Sequence, residues 1–264
     1  AEAMAEQYLP RFAGDTLPKG YIGQILSVAD KIDTLCGIFS IGQKPTGTKD
    51  PFGLRRAALG VLRIIIEAKL TLDLREVLVF AAQKLSVKVD ANAQLAKTEQ
   101  YIFERLRAYY QEAEIAADSV ETVARIVITQ PLDFDQRVRA VNRFRHLPEA
   151  ESLAAANKRI ANLLKKVEGD IPATVNPNLF VETQETALYE ALQTQEQSVA
   201  NFAKNADYEQ GLRALAQLKP QVDAFFDHVM VMADDERLKN NRLALLKQLR
   251  QQFLQIADVS YLQC

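Results

Sequence analysis

The residues best placed to do chemistry lie between Gln136 and Lys166. Eight cations (Arg137, Arg139, Arg143, Arg145, Lys158, Arg159, Lys165 and Lys166) stand there against Glu149 and Glu151 alone, a net charge of +6. From Val167 to Gln210 the balance reverses, with eight acids against Lys204, while the whole chain carries only −2. Charge segregated in this way makes a local cationic surface on a nearly neutral protein. Arg and Lys neutralise phosphates, and Arg and Asn read the edges of unstacked bases, so the chemistry suggested is recognition of a single-stranded RNA loop.

The spacing says which of these side chains are available. On Phe134–Arg145 the apolar face is Phe134, Val138, Val141 and Phe144, and Arg139 and Arg143 are i,i+4 neighbours on the opposite side. Arg137 falls within the apolar arc, where a snorkelled or paired guanidinium is expected. On the next helix Leu153, Ala156, Ile160, Leu163 and Leu164 form the core face. Lys158, Asn162 and Lys165 line the outer face with Lys166 beside them, and Asn157 and Arg159 sit at the flanks. Two antiparallel helices joined at His146–Pro148 would present Arg139, Arg143, Arg145, Lys158, Arg159, Asn162, Lys165 and Lys166 together. The plainer reading is a solvated basic face balanced by the acidic segment that follows.

Other candidates are weaker. The string Gly42–Lys49, GQKPTGTK, nearly spells a phosphate-binding loop, but that loop needs Lys before Ser/Thr. No strand precedes it, and Asp50 would occupy the helix N-terminus where phosphate belongs, so we reject it. Arg55, Arg56 and Arg63 follow on one helix, Arg56 and Arg63 a heptad apart; they offer a possible second RNA-contacting or interdomain surface, or simply a solvated face. Near the end, Leu238, Leu245, Leu249, Phe253 and Ile256 form a stripe into which Arg242 projects. A buried Arg requires a carboxylate, and Asp227, Asp234 and Asp235 are the candidates; Arg250 lies off the stripe, available to RNA. Tyr101, Phe103, Tyr109 and Tyr110 read as core at helical spacing.

The elements that must position these residues are helices. Strong helix formers fill the long segments and no alternating run of strand length stands out, so the fold class is all-α. Helices are expected near 20–39, 50–70, 73–85, 91–114, 118–129, 133–146, 149–167, 182–203, 207–232 and 234–259. Asp50 is read as an N-cap with Pro51 in the first helical position. Eight of the ten glycines lie at or before Gly60, which suggests two regions of different character, 1–88 and 89–264. The loop 168–181 is the best interior break. No apolar run is long enough to span a bilayer and no signal peptide is visible. Cys36 and Cys264, far apart and without metal-ligand spacing, point to a reducing compartment. The first residue already lies in a helical pattern, so a piece of a longer protein is expected.

One string is too particular for generic helical protein: Ala29–Ile66, ADKIDTLCGIFSIGQKPTGTKDPFGLRRAALGVLRIII. It resembles the bacterial glycyl-tRNA synthetase beta subunit. AEQYLPRFAGDTLP near the start, ANKRIANLL at 156–164, the run at 222–246 and QQFLQIADVSYLQ at the end follow in the family's order, so the resemblance covers nearly the whole chain. It implies a C-terminal portion of that subunit. Residues 1–88 would be the tail of its HD-like helical domain. Residues 89–264 would be a helical-bundle anticodon-binding domain, similar to that of arginyl-tRNA synthetase.

The resemblance further implies binding of tRNA(Gly) and assembly with the alpha subunit, usually as an α2β2 heterotetramer, in the cytoplasm and without a membrane. The function implied is support of ATP-dependent ligation of glycine to tRNA(Gly), with ATP and Mg used on the alpha subunit. This chain would hold no catalytic site, no metal and no cofactor. The tRNA-binding set would be Arg139, Arg143, Arg145, Lys158, Arg159, Asn162, Lys165, Lys166 and Arg250. Asp30 matches the last metal-binding Asp of HD phosphohydrolases, but their metal needs His ligands as well, and His146 and His228 lie far downstream. The alternatives are an HD-type metal-dependent phosphohydrolase piece and a purely structural module that holds the alpha subunit.

Overall fold

The computed structural model describes residues 2–47, 49–85, 91–167 and 169–263. Among them there is no strand beyond a lone bridge between Thr46 and Lys49, and the all-α reading holds. The chain forms two compact units: Ala1–Glu114 with Ile128–Asp135, and Ile115–Val127 with Gln136–Cys264. The boundary expected at 88/89 falls within 86–90, outside the described residues.

The first unit contains α1 (Glu2–Glu6), α2 (Tyr21–Ser40), α3 (Leu54–Glu67), α4 (Leu74–Lys84), α5 (Ala91–Phe103) and α6 (Leu106–Glu112). The sequence of α3, apolar over a broad arc with Arg55, Arg56, Arg63 and Glu67 on the remaining side, suits it to be the central helix. Leu54, Ala58, Val61, Leu62, Ile64 and Ile65 are all buried, and α2, α5 and α6 pack on it. The sequence reading started this helix at Asp50, and the structure corrects that. Pro51 and Phe52 form a turn, Gly53 takes a left-handed φ of +64°, and α3 begins at Leu54. Asp50 still serves the helix end, accepting from the Leu54 amide at 2.8 Å and the Arg55 amide at 3.0 Å. Glycine at 53 carries the turn because a side chain there would strain the backbone.

The same unit buries a cation without a carboxylate. Lys31 of α2 donates to Ser27 Oγ at 2.7 Å, to the Leu9 carbonyl at 2.9 Å and to the Gln7 carbonyl at 3.3 Å. Burial pushes its pKa below the usual lysine range, and nearby Asp30 opposes that only in part. Its stem lies on Gly60 of α3, where an added Cβ would come within 2.9 Å of Lys31 Cε. The unit's second segment returns to α4: Leu74 donates its amide to the Thr129 carbonyl at 2.9 Å, and the Thr129 hydroxyl donates to the Asp73 cap.

The second unit contains α7 (Ala117–Ala124), most of α8 (Pro131–Phe144), α9 (Ala150–Lys165), α10 (Thr183–Lys204), α11 (Tyr208–Ala216), α12 (Lys219–His228) and α13 (Glu236–Leu254). The single helix expected over 207–232 is two, because Pro220 in the first turn of α12 has no amide with which to continue α11. Helix α13 is the hub: Leu243, Leu245, Leu246, Leu249 and Phe253 are buried, and α9, α10 and α11 pack against it. Asn241 fixes the 168–181 loop by accepting from the Asn176 amide at 2.7 Å and donating to its carbonyl at 3.1 Å.

Arg242 is buried as expected, but its partner is none of the three aspartates. Glu185 in the first turn of α10 receives Arg242 Nε at 3.0 Å and Nη2 at 3.2 Å, and Nη1 donates to the Met230 carbonyl at 2.9 Å. Glu185 also accepts from the Val181 and Glu182 amides at 3.0 and 2.9 Å. Burial pushes its carboxyl up, yet the guanidinium and the two amides pull harder and hold it below the ordinary glutamate range. Asp235 is occupied elsewhere, capping α13 through the Arg237 and Leu238 amides.

Candidate nucleic-acid interface

Helix α8 is amphipathic as its spacing requires: Phe134, Val138, Val141 and Phe144 are buried. Its arginines are tied to the protein. Arg137 Nη1 donates to the Gln255 carbonyl at 2.7 Å and the Ile256 carbonyl at 2.8 Å, and its plane lies 4.1 Å from the Tyr208 ring centroid. Those carbonyls lie just beyond the end of α13, where the backbone lacks intrahelical partners and the helix dipole favours a cation. The snorkelling predicted for Arg137 therefore ends at a helix terminus.

Arg143 pairs with Glu209 in the first turn of α11 at 2.6 Å. Hydrogen bonds from Arg213 and then Arg143 hold the Glu209 carboxyl below its ordinary range against slight burial. Arg145 bridges Asp118 of α7 at 3.2 Å and the Gln263 carbonyl at 3.0 Å. Arg139 is half-buried and also has a partner. The acceptors Glu209 and Asp118 were missed in the sequence. Each lies in the first turn of a helix, where an acid suits the dipole whatever else it does, so no pattern marks them.

Helix α9 is different. Leu153, Ala156 and Ile160 are buried, against α12, α13 and the turn at Val259–Tyr261. Asn157, expected at a flank, is fully buried and donates to the Leu153 carbonyl at 3.0 Å. Lys158, Asn162, Lys165 and Lys166 are exposed on one stripe. The three lysines make no ion pair among the described residues. Arg159 is exposed but lies 4.4 Å from the Phe226 ring centroid on α12. The expected combined surface thus separates. The α9 lysines and Asn162 stand together, while the α8 arginines turn to α7, α11 and the carbonyls past α13.

The remaining candidates are placed as follows. Arg250 pairs with Asp258 at 2.5 Å, with 15% and 9% of the two side chains exposed. Burial pushes the Asp258 carboxyl up, and Arg250 and Ser260 bring it below its usual range. In the first unit Arg63 is 13% exposed, held by Glu67 at 2.8 Å and the Asp15 carbonyl at 2.9 Å. Arg55 donates to the Gly47 carbonyl, and Arg56 is exposed. The three therefore do not form one outward row. Asp30 and Asp33 are exposed, as are His146 and His228. Among the described residues no three His, Cys, Asp or Glu side chains gather as metal ligands. The amides at the start of α3 that a phosphate would need are taken by Asp50, and Thr48 lies outside the described residues. Cys36 is buried, which with Asp33 nearby pushes its thiol up to about 11.

Comparison with known proteins places these elements in a context. Residues 1–125 match the family described as glycyl-tRNA synthetase beta subunit, and residues 153–262 match the DALR anticodon binding domain. The chain is 51% identical over all 264 residues to the glycine–tRNA ligase beta subunit of Shewanella baltica (strain OS185) and to that of Shewanella sp. (strain ANA-3). It is 50% identical over the same length to the Shewanella putrefaciens protein. It spans 38% of the length of each of these relatives.

Proposed function

Because the chain belongs to the glycyl-tRNA synthetase beta subunit family, we propose that it binds tRNA(Gly) and that its second unit engages the anticodon arm. It would do so within an α2β2 enzyme that ligates glycine to tRNA(Gly) at the cost of ATP. The observation that carries this reading is an overlap: the anticodon-binding match at 153–262 includes the exposed stripe of Lys158, Asn162, Lys165 and Lys166 on α9.

ATP and Mg belong, in this proposal, to the alpha subunit. The loop Gly42–Lys49, whose sequence resembles a phosphate cradle, does not fit such a group, since the Asp50 carboxylate already takes the amides at its helix end. No bond-making step is assigned to residues of this chain. Their part is to bind and orient tRNA.

Binding that neutralises phosphates releases counterions, so affinity must fall steeply with salt. Filter binding of tRNA(Gly) across a salt series tests this: a steep negative slope of log K against log salt is expected, and a flat one sinks the proposal. A second reading, a module that only holds the alpha subunit, draws on the relatives' designation as beta subunits. Co-purification of this chain with alpha, with no measurable tRNA affinity, would favour it.

A further inference from the structure

We propose that α9 contacts the phosphate backbone of its RNA without reading bases, and that Lys158, Lys165 and Lys166 are the contacting cations. This deepens the tRNA-binding proposal and rests on it. The structure sorts the basic window by chemistry. Arginine, whose planar fork suits bidentate recognition of base edges, is bound to protein: Arg137 to carbonyls past α13, Arg143 to Glu209, Arg145 to Asp118 and Arg159 against Phe226. Arg159 is exposed and without an ion pair among the described residues, but its guanidinium lies over Phe226; the other such cations in the window are lysines, compact point charges suited to phosphate oxygens.

The geometry of the row agrees. Lys158, Asn162 and Lys165 sit at i, i+4 and i+7 on one side of a helix, so the two lysines lie about 10 Å apart along the axis. That spacing lets a cation meet phosphates of nearby nucleotides, with the Asn162 amide between them able to donate to a phosphate or ribose oxygen. A simpler account covers part of the row: cations in the last turn of a helix complement its dipole. It explains Lys165 and Lys166 but neither Lys158 nor Asn162, which lie nearer the middle of α9.

The test is a Lys158→Ala/Lys165→Ala/Lys166→Ala variant of this protein, measured by filter binding. Two RNAs are used, tRNA(Gly) and the same tRNA with its anticodon replaced, each over a salt series, with Tm as the check on folding. The expected result is at most a small drop in Tm, from the lost dipole complement of Lys165 and Lys166, and a loss of affinity on the order of tenfold at low salt, equal for the two RNAs. The salt slope should shrink by about 2, since each phosphate contact contributes roughly 0.7 to 0.9. A loss confined to the cognate tRNA would overturn the inference by showing that α9 reads bases. Unchanged affinity and slope for a variant that folds would overturn it by placing the RNA elsewhere, with the tRNA-binding proposal intact. Failure of the unsubstituted protein to bind either RNA would instead overturn both.

Discussion

Helices α8 and α9 are neighbours in sequence, share one basic window and have similar amphipathic patterns, yet they use their cations in opposite ways. The α8 arginines close the fold: they hold the carbonyls past α13, the first turn of α11 and the start of α7. The α9 lysines make no ion pair among the described residues and face water. Charge density therefore does not locate an RNA surface by itself. A cation is available to a ligand only when the fold offers it no carboxylate or helix-end carbonyl within reach.

The extreme of the bound class is Arg242, and it should give the largest effect. Glu185→Gln leaves a guanidinium buried against a neutral amide, which costs about 3 kcal/mol or more, read as a drop in Tm and denaturation midpoint. Glu185→Leu with Arg242→Met should lose less than the sum of the two single changes, because the uncompensated charge is gone. A fully additive double variant would break the view that this pair is one unit.

The pH dependence follows from the same pair. The Glu185 carboxyl in the folded protein lies below its ordinary 4.5, so the unfolded chain binds the proton more tightly. Its stabilising contribution is complete above that ordinary value and is lost as pH falls through the lower folded one. The acid limb of a stability profile should accordingly be flatter in Glu185→Gln.

Smaller effects sharpen the contrast between the two helices. Arg137→Ala removes two charge-assisted bonds to helix-end carbonyls and should cost about 2 kcal/mol, seen as a lowered Tm. Arg143→Ala breaks an exposed pair that solvent screens and should cost less than ~1 kcal/mol. Lys158→Ala should leave stability within the ~0.5 kcal/mol typical of a free surface position, read as a nearly unchanged Tm, while weakening RNA binding. If Lys158→Ala destabilised the protein as much as Arg137→Ala, the division between bound and free cations would fail.

Much of this was legible in the residues. Their periodicity placed the core faces of α8 and α9, and the charge map found the basic window, whereas Gly53 and Pro220 were read through as helix although the chain breaks at both. Burial of Arg242 followed from its place in the last helix's apolar stripe. Its partner did not, because Glu185 lies 57 positions earlier and no local pattern points to it. The same holds for Arg250 and Asp258, where the sequence showed an arginine off the stripe and the fold supplied a buried carboxylate at 2.5 Å.

The sequence by itself determined the helical class, the apolar faces, the family and the location of the cations. These depend on local spacing and on residue type, which a linear chain displays in full. Tertiary structure alone decided which cations are free. A salt bridge is a long-range contact, chosen when packing brings an acid or an uncapped carbonyl within about 3 Å of a guanidinium, and nothing in the spacing of Arg143, Arg145 or Arg242 announces the acid that will arrive there.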